Sequence, residues 1–307
     1  MASGFAGSGT VGYHPSHMSK ATDLRQLLAH DDLIIAPGAY DGLTARLVEL
    51  AGFPTVYATG AGISNSQLAF ADVGLATMTE VLDQVRKMTG AVTIPLIADI
   101  DTGYGNAVNL YRTIQEFIRA GAAAVQLEDQ VIPKKCGHFE GKHLIPLDEA
   151  VMKIRAAVEA RGEHDLVLIA RTDAIAVDGL PEALRRARAY HEAGADVLFV
   201  EAPRTREELA EIGRSLPGVK LANMVEGGRT PIVPAADLKA MGFKITLYAN
   251  LILRSSIRAI QTSLQHLHAA GDSQAILDRM VTMQERGRVT RKDVLDDLER
   301  RFTLAES

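Results

Sequence analysis

Pro95-Leu96-Ile97-Ala98-Asp99-Ile100-Asp101 is an apolar run that ends in two aspartates, and Val125-Gln126-Leu127-Glu128-Asp129 closes a second run of the same kind. Between them, residues 107–120 carry apolar side chains at helical spacing and stop at Ala120-Gly121-Ala122, where glycine can take the left-handed conformation that closes a helix. A buried strand, a helix and another buried strand make one βαβ unit, because two parallel strands can be joined only through a crossover of that length.

The unit repeats in both directions along the chain. Candidate strands fall at 33–36, 55–58, 95–100, 123–127, 166–170, 197–200, 220–222 and 245–248, and helical spacing fills 41–51, 79–87, 107–120, 147–161, 181–193, 205–216 and 235–241. Ala51-Gly52-Phe53 and Ala193-Gly194-Ala195 repeat the helix-closing glycine. Strict alternation implies a parallel sheet, and eight units within about 250 residues favour closure into a (β/α)8 TIM barrel, an α/β fold, over an open doubly wound sheet. The Rossmann-like alternative is weakened because no G-x-G-x-x-G follows the first strand; Gly60-Ala61-Gly62 and Gly103-Tyr104-Gly105 are partial patterns. Residues 251–269, 273–286 and 291–302 supply more helix than barrel closure requires, and the surplus points to an oligomer contact. The expected organisation is a flexible N-terminal arm over 1–20 and a single (β/α)8 domain over 21–307 that carries C-terminal oligomerisation helices.

A hydrophobic content of 47% is ample for a sizeable core in a chain of 307 residues. Thirty-three basic residues against 38 acidic ones leave a net charge of −5, and no basic block resembles a phosphate-backbone footprint, so nucleic acid is not an expected partner. No apolar run approaches the roughly 18 residues of a membrane span. A single cysteine rules out an intrachain disulfide framework and makes the cytoplasm the natural compartment. Residues 1–20 are rich in Gly and Ser and lack the apolar core of a signal peptide.

Asp99 and Asp101 stand two residues apart at the end of an apolar strand, so strand alternation sends both to one face. In a parallel barrel the C-terminal strand ends form the catalytic mouth, and Glu128 ends the next strand. Three carboxylates on one rim repel unless a cation joins them, and Mg2+, with Mn2+ next, suits a few carboxylates supplemented by water and substrate oxygen. The competing reading has both aspartates capping the helix that starts near Asn106. Arg171 ends the run Leu166-Val167-Leu168-Ile169-Ala170, where an arginine must meet a substrate anion or form an ion pair with Asp173 or Glu201. Glu201 and Asn223 take comparable strand-end positions, as binding groups or as satisfied rim residues. Thr59-Gly60-Ala61-Gly62 after the second strand offers a hydroxyl and amides to a carboxylate, or simply reverses the chain.

Pro133-Lys134-Lys135-Cys136-Gly137-His138 sets the only cysteine between two cations and an imidazole. Such neighbours stabilise a thiolate, and Gly137 lets the backbone approach a ligand closely. The alternative for Cys136 is a small packed residue.

Taken together, these residues resemble the isocitrate lyase and phosphoenolpyruvate mutase superfamily, nearest to its methylisocitrate lyase and carboxyphosphonoenolpyruvate phosphonomutase branch, over about residues 24–302. The resemblance is carried by Ala36-Pro37-Gly38-Ala39-Tyr40-Asp41, by residues 98–106, by Leu127-Glu128-Asp129-Gln130, by the Lys-Lys-Cys-Gly-His loop, by Ala170-Arg171-Thr172-Asp173-Ala174 and by residues 222–228. It implies a (β/α)8 barrel whose terminal helix is exchanged between subunits, usually in a tetramer. It also implies that Asp99 holds Mg2+, with Asp72, Asp101 and Glu128 acting directly or through waters. Thr59, Gly60 and Ala61 would receive a substrate carboxylate with Arg171 as its cationic partner, and Tyr57, Lys134, His138, Glu201 and Asn223 would complete the site.

The activity implied is carbon–carbon cleavage of a 2-hydroxy di- or tricarboxylate of the methylisocitrate or alkyl-malate type, giving a 2-oxo acid and a carboxylate. Cys136 would exchange the proton, and Lys134 and Lys135 would offset developing charge. At the eighth strand Tyr248-Ala249-Asn250-Leu251 departs from the Tyr-Pro-Leu-Ser of methylisocitrate lyases, and the glycine turn after strand two differs as well. These departures make a smaller alkyl malate as fitting as a tricarboxylate. The cysteine motif argues against phosphoenolpyruvate mutase itself. Carboxyphosphonoenolpyruvate phosphonomutase, oxaloacetate hydrolase and a catalytically silent ligand-binding barrel are the alternatives.

Overall fold

The computed structural model describes residues 19–135, 137 and 141–303. Eight parallel strands close a barrel in chain order: β1 (Ile34–Ala39), β2 (Val56–Ala58), β3 (Leu96–Asp99), β4 (Ala124–Glu128), β5 (Val167–Thr172), β6 (Val197–Val200), β7 (Val219–Asn223) and β8 (Ile245–Tyr248). The last seam joins β8 to β1, with Ile34 opposite Ile245 and Pro37 opposite Tyr248. The (β/α)8 expectation holds, and the open doubly wound alternative does not.

Strand alternation splits the interior into two layers. Ala124 on β4, Val167 and Ile169 on β5, and Val197 and Phe199 on β6 point inward and form one apolar cluster with Ile97, Leu221, Ile245 and Leu247. Val125, Leu168 and Leu198 point outward, against Phe117, Met88 and Tyr190 of the surrounding helices. Both faces are covered, which is why these strands read as unbroken apolar runs in the sequence. At roughly 25 cal/mol per Å2 of apolar surface buried, this double layer is the main favourable contribution to folding.

The covering helices are α2 (Gly42–Leu50), α4 (Met78–Ala91), α5 (Ala107–Arg119), α6 (Leu147–Arg161), α8 (Leu180–Glu192), α9 (Arg206–Ser215) and α10 (Ala235–Ala240), with short turns α3 (Gly60–Ile63) and α7 (Ile175–Asp178). The anticipated helix-closing glycines do that work: Gly121 has φ 82° and Ala122 N–H donates back to the Phe117 carbonyl at 3.1 Å, and Gly194 repeats the arrangement at φ 104°.

Helix α1 (Lys20–Ala29) was not among the periodic segments of the sequence. Ser19 caps it, Leu24 enters the inner layer, and Lys20 Nζ donates to the carbonyls of Thr89 and Val92 at 2.6 and 2.7 Å. Of the arm expected over 1–20, residues 1–18 lie outside the described residues.

After the barrel come α11 (Leu251–Ala270), a 3-10 turn (Gln274–Arg279), α12 (Met283–Val289) and α13 (Lys292–Phe302). The single helix expected over 273–286 is broken because Thr282 caps a new one, accepting from the Glu285 N–H at 3.1 Å. Ile260, Leu264, Leu267, Leu295, Leu298 and Phe302 are exposed on these elements. Among the described residues no helix is long and apolar enough to cross a membrane.

Candidate active site

The inward positions of the strands end in a polar layer, formed by Tyr57, Asp99, Glu128, Arg171, Glu201 and Asn223. Above it lies a cleft of about 410 Å3, partly open to solvent, lined by Tyr57, Thr59, Ala61, Asp72, Asp99, Lys134, Gly137, Arg171, Phe199, Glu201, Asn223, Ala249 and Asn250. Residues as far apart in the chain as Tyr57 and Asn250 meet here because parallel strands bring every C-terminal end to one face.

Asp99 is the best-held carboxylate. It accepts from Gly60 N–H at 3.2 Å, Asp101 N–H at 3.1 Å and Gln126 Nε2 at 3.3 Å, while Gln126 Oε1 accepts from the Tyr57 hydroxyl at 2.6 Å. Asp101 does converge with Asp99, though by a route other than strand alternation. β3 stops at Asp99, and Asp101 sits in the left-handed region at φ 48°, with its carbonyl accepting from Glu128 N–H at 2.9 Å. The capping alternative falls away because Asn106 caps α5 itself, accepting from Val108 and Asn109.

Lys134 projects its ammonium into the acidic group, 2.5 Å from Asp72 Oδ1 and 2.8 Å from Asp101 Oδ1. Burial and then the neighbouring carboxylates Asp99 and Asp72 drive the Asp101 carboxyl up to about 6, although Lys134 opposes them. Glu128 is raised well above the usual carboxylate range, chiefly by burial, with Arg171 and Lys134 opposing. Burial works against the Lys134 ammonium, but Asp101, Glu128, Asp72 and Asp99 outweigh it and carry the group well above an ordinary lysine. Burial also raises the Tyr57 phenol far above its usual value, and Asp99 adds to the effect, so it stays protonated as a donor.

Arg171 makes the ion pair with Asp173 that one of its sequence readings called for, and it also lines the cleft. Nε and Nη2 clamp Asp173 at 2.9 and 3.0 Å, Nη1 lies 3.3 Å from Glu128, and the guanidinium stands 5.4 Å from the Phe199 ring centroid while still lining the cleft. Asp173 is held down to about 2, because Arg171 and Lys142 together overcome the effect of burial.

All donors in the acidic group are carboxylate oxygens, which match a hard divalent cation. Glu128 Oε1 is buried without a hydrogen-bond partner, an orphaned acceptor that a cation or its water would satisfy. Among the described residues no three His, Cys, Asp or Glu side chains converge tightly enough to enclose an ion alone. Mg2+ does not require that, since it keeps several waters and commonly takes one or two carboxylates. The residues fit the ion.

Several expectations change in detail. The Gly60 amide is directed at Asp99, and the Thr59 side chain caps α3 by accepting from Gly62 N–H at 3.4 Å, so the Gly60 amide serves the acidic group, while Thr59 and Ala61 line the cleft. Lys134 is buried in the cleft, but Lys135 is exposed, with Nζ beside Gly141, and does not line it. Asp129 faces away from the mouth and accepts from the hydroxyls of Thr172 and Tyr190, each at 2.7 Å. Cys136 and His138 lie outside the described residues. Gly137 is described: a Cβ there would come within 2.3 Å of Glu201 Oε1 and 2.7 Å of Arg171 Nη2, so the loop backbone itself reaches the floor of the cleft.

Sequence reasoning missed Gln126, Lys142 and Lys153. Gln126 had a signal, an amide in the middle of a wholly buried strand. Lys153 had none: it is one lysine on α6, yet its ammonium holds the carbonyls of Thr102 and Gly105 at 2.6 and 2.9 Å and so braces the loop that carries Asp101.

A family model described as phosphoenolpyruvate phosphomutase matches residues 24–268. The chain belongs to that family. A 2,3-dimethylmalate lyase from Eubacterium barkeri is 45% identical over 268 residues, covering 87% of this chain and 93% of the relative. A 2-methylisocitrate lyase from Aeropyrum pernix is 44% identical over 262 residues, covering 85% and 84%. Among solved structures, an oxaloacetate acetylhydrolase in complex with 3,3-difluorooxalacetate superposes with TM-score 0.89 at 36% identity, covering 94% of this chain and 99% of that one. A phosphonopyruvate hydrolase in complex with oxalate and Mg++ gives TM-score 0.84 at 32% identity, covering 93% and 99%. The chain is thus an enzyme of the isocitrate lyase and phosphoenolpyruvate mutase superfamily, on its carbon–carbon lyase side, and metal ions are in use within that superfamily.

Proposed function

We propose that this enzyme is a Mg2+-dependent lyase that cleaves a small anionic substrate, a 2-hydroxy di- or tricarboxylate of the alkyl-malate or methylisocitrate type, to a 2-oxo acid and a carboxylate. The observation that carries the reading is a cleft whose floor sets buried carboxylates of Asp99, Asp101 and Glu128 beside the cations of Lys134 and Arg171, with the Gly137 backbone lodged over them.

Asp99 would hold the ion, with Asp72, Asp101 and Glu128 supporting it directly or through water; once bound, the ion would supply the Lewis acidity that lets the substrate hydroxyl proton pass near neutral pH to a carboxylate of the acidic group. Arg171, Thr59, Ala61 and Asn223 orient the substrate carboxylate, and the fixed Tyr57–Gln126–Asp99 chain keeps the acidic group in register. As the carbon–carbon bond breaks, its electron pair stays on the departing carboxylate's α-carbon, which takes a proton from the Cys136 thiol. Lys134 offsets the charge that develops, Glu201 completes the polar wall, and His138 is assigned to the site by sequence alone. The seated loop keeps water away from the carbanion until it is protonated.

Ala61, Phe199 and Ala249 supply an apolar part of the lining, which suits an alkyl substituent better than a third carboxylate. The purified enzyme with Mg2+ is expected to release pyruvate or glyoxylate from 2,3-dimethylmalate, methylisocitrate or isocitrate, followed by a coupled lactate dehydrogenase assay. Release of oxalate and acetate from oxaloacetate instead would assign a hydrolase, and a phosphonate signal in phosphorus NMR a phosphonomutase. Silence across the whole panel would reject the lyase reading.

The apolar stripe on α11 and α13 supports a homotetramer in which terminal helices are exchanged. Sedimentation equilibrium should return four times the 33.0 kDa chain mass, and Leu264→Asp should shift it downward. A monomer for the unaltered protein would remove this assignment. A cytoplasmic location is the reading that the single cysteine favours.

A further inference from the structure

The stretch from Ile100 to Asn106, between β3 and α5, carries Asp101 on a backbone that few side chains tolerate. Asp101 and Tyr104 are left-handed at φ 48° and 61°, and Gly103 and Gly105 stand at 81° and 148°. Such conformations persist only where the surroundings over-determine them. Part of that support is local: Gly103 N–H donates to the Ile100 carbonyl at 2.8 Å, Glu128 N–H to the Asp101 carbonyl at 2.9 Å, and the Thr113 hydroxyl to the Gly103 carbonyl at 3.2 Å. The rest comes from a helix more than forty residues further on. The carbonyls of Thr102 and Gly105 share one donor, the ammonium of buried Lys153 on α6, at 2.6 and 2.9 Å.

We propose that Lys153 is a positioning residue for the acidic group: it ties the Asp101 turn into the backbone conformation that keeps the Asp101 carboxylate beside Asp99 and Lys134. One ammonium bonded to residues 102 and 105 closes the turn across its open side. Released there, Asp101 and Tyr104 can relax toward ordinary φ values, and the Asp101 carboxylate swings with them. The same relaxation frees the Asp101 carbonyl from the Glu128 N–H, which loosens the end of β4 and the carboxylate it presents. Lys153 thus acts through the backbone on two of the carboxylates assigned to the cation. A cavity of about 210 Å3 adjoins it, lined also by Leu127, Glu128, Ile154 and Tyr190, and leaves room for a longer cationic side chain.

The consequence for the cation rests on the reading above that the acidic group holds one; the tie on the turn does not. Amide hydrogen exchange in the full chain without metal reads the tie, and Mn2+ affinity by electron paramagnetic resonance reads its consequence. Lys153→Met is expected to speed exchange at the Gly103 and Glu128 amides about ten- to a hundredfold, the span of a charge-assisted hydrogen bond. Mn2+ binding should weaken by about the same factor, as it does when a group that orients a metal ligand is lost. Lys20→Met, which removes another ammonium bonded to two carbonyls, those of Thr89 and Val92 at the opposite end of the barrel, should leave both readouts within about twofold. Lys153→Arg should bring both back to within about threefold of the original. Unchanged exchange or unchanged Mn2+ affinity in folded Lys153→Met, an equal effect from Lys20→Met, or no recovery in Lys153→Arg overturns the proposal. If Lys153→Met does not fold, Lys153→Gln is read by the same criteria. No Mn2+ binding in the unaltered protein would remove the cation reading, and faster exchange in Lys153→Met would then leave the tie on the turn standing by itself.

Discussion

Asp99→Asn is expected to lower kcat/KM about a thousandfold and to abolish saturable Mn2+ binding measured by electron paramagnetic resonance. Asp99 is the carboxylate most completely organised by its surroundings, with two backbone amides and the Gln126 side chain fixing its oxygens. Asparagine keeps the shape but removes the charge, and its NH2 must face at least one of those donors. A hard divalent ion then loses its most completely oriented anionic ligand, while Asp101 remains engaged by Lys134. Lewis-acid stabilisation is worth several kcal/mol, and each 1.36 kcal/mol is a factor of ten, so a loss of about 4 kcal/mol gives the stated fall. The barrel itself should persist in circular dichroism, because the apolar layers lie below this position. Undiminished Mn2+ binding in the variant would show that Asp99 is not the residue that holds the ion.

The same position shows why the fold was more legible than the site. β3 and β4 are buried on both faces, so their apolar runs stand out whatever lies beside them, and each strand end marks a rim residue without further information. Boundaries were less clear. β1 runs on through Pro37 and Gly38 to Ala39, although both residues read as turn signals, because Pro37 has a partner in Tyr248 and the Gly38 backbone lies against Ala249. The convergence of Asp99 and Asp101 was anticipated by strand alternation and is achieved by a left-handed residue, a conformation that a sequence rarely announces outside glycine. Lys142 and Lys153 could not be found at all. Each is an unremarkable lysine whose meaning lies in carbonyls of distant loops, Gly137 for one and Thr102 and Gly105 for the other. Contacts of that kind are properties of the closed barrel, and no local pattern encodes them.

Cys136→Ser is expected to cut keto-acid release about a thousandfold while leaving oxalate affinity within about threefold of the original. General acid–base catalysis contributes about 10^2–10^4, and serine is an almost isosteric replacement whose hydroxyl holds its proton far more tightly than a thiol. The oxalate control matters because the cleft groups proposed to bind a 2-oxo acid, Arg171, Thr59 and Asn223 with the acidic floor, are supplied by the barrel and not by that side chain. Loss of proton transfer with binding intact places the thiol after substrate capture, at the carbanion. A parallel loss of oxalate affinity in calorimetry would instead make Cys136 part of the loop's packing, and turnover undiminished in the serine variant would pass the proton to another group. The lysines flanking the cysteine give the discrimination its physical basis: Lys134 is committed to Asp72 and Asp101, so its ammonium is fixed beside the floor and can stabilise charge on the substrate without donating its own proton. In the proposed reaction that leaves the proton to a separate donor, the role proposed for Cys136.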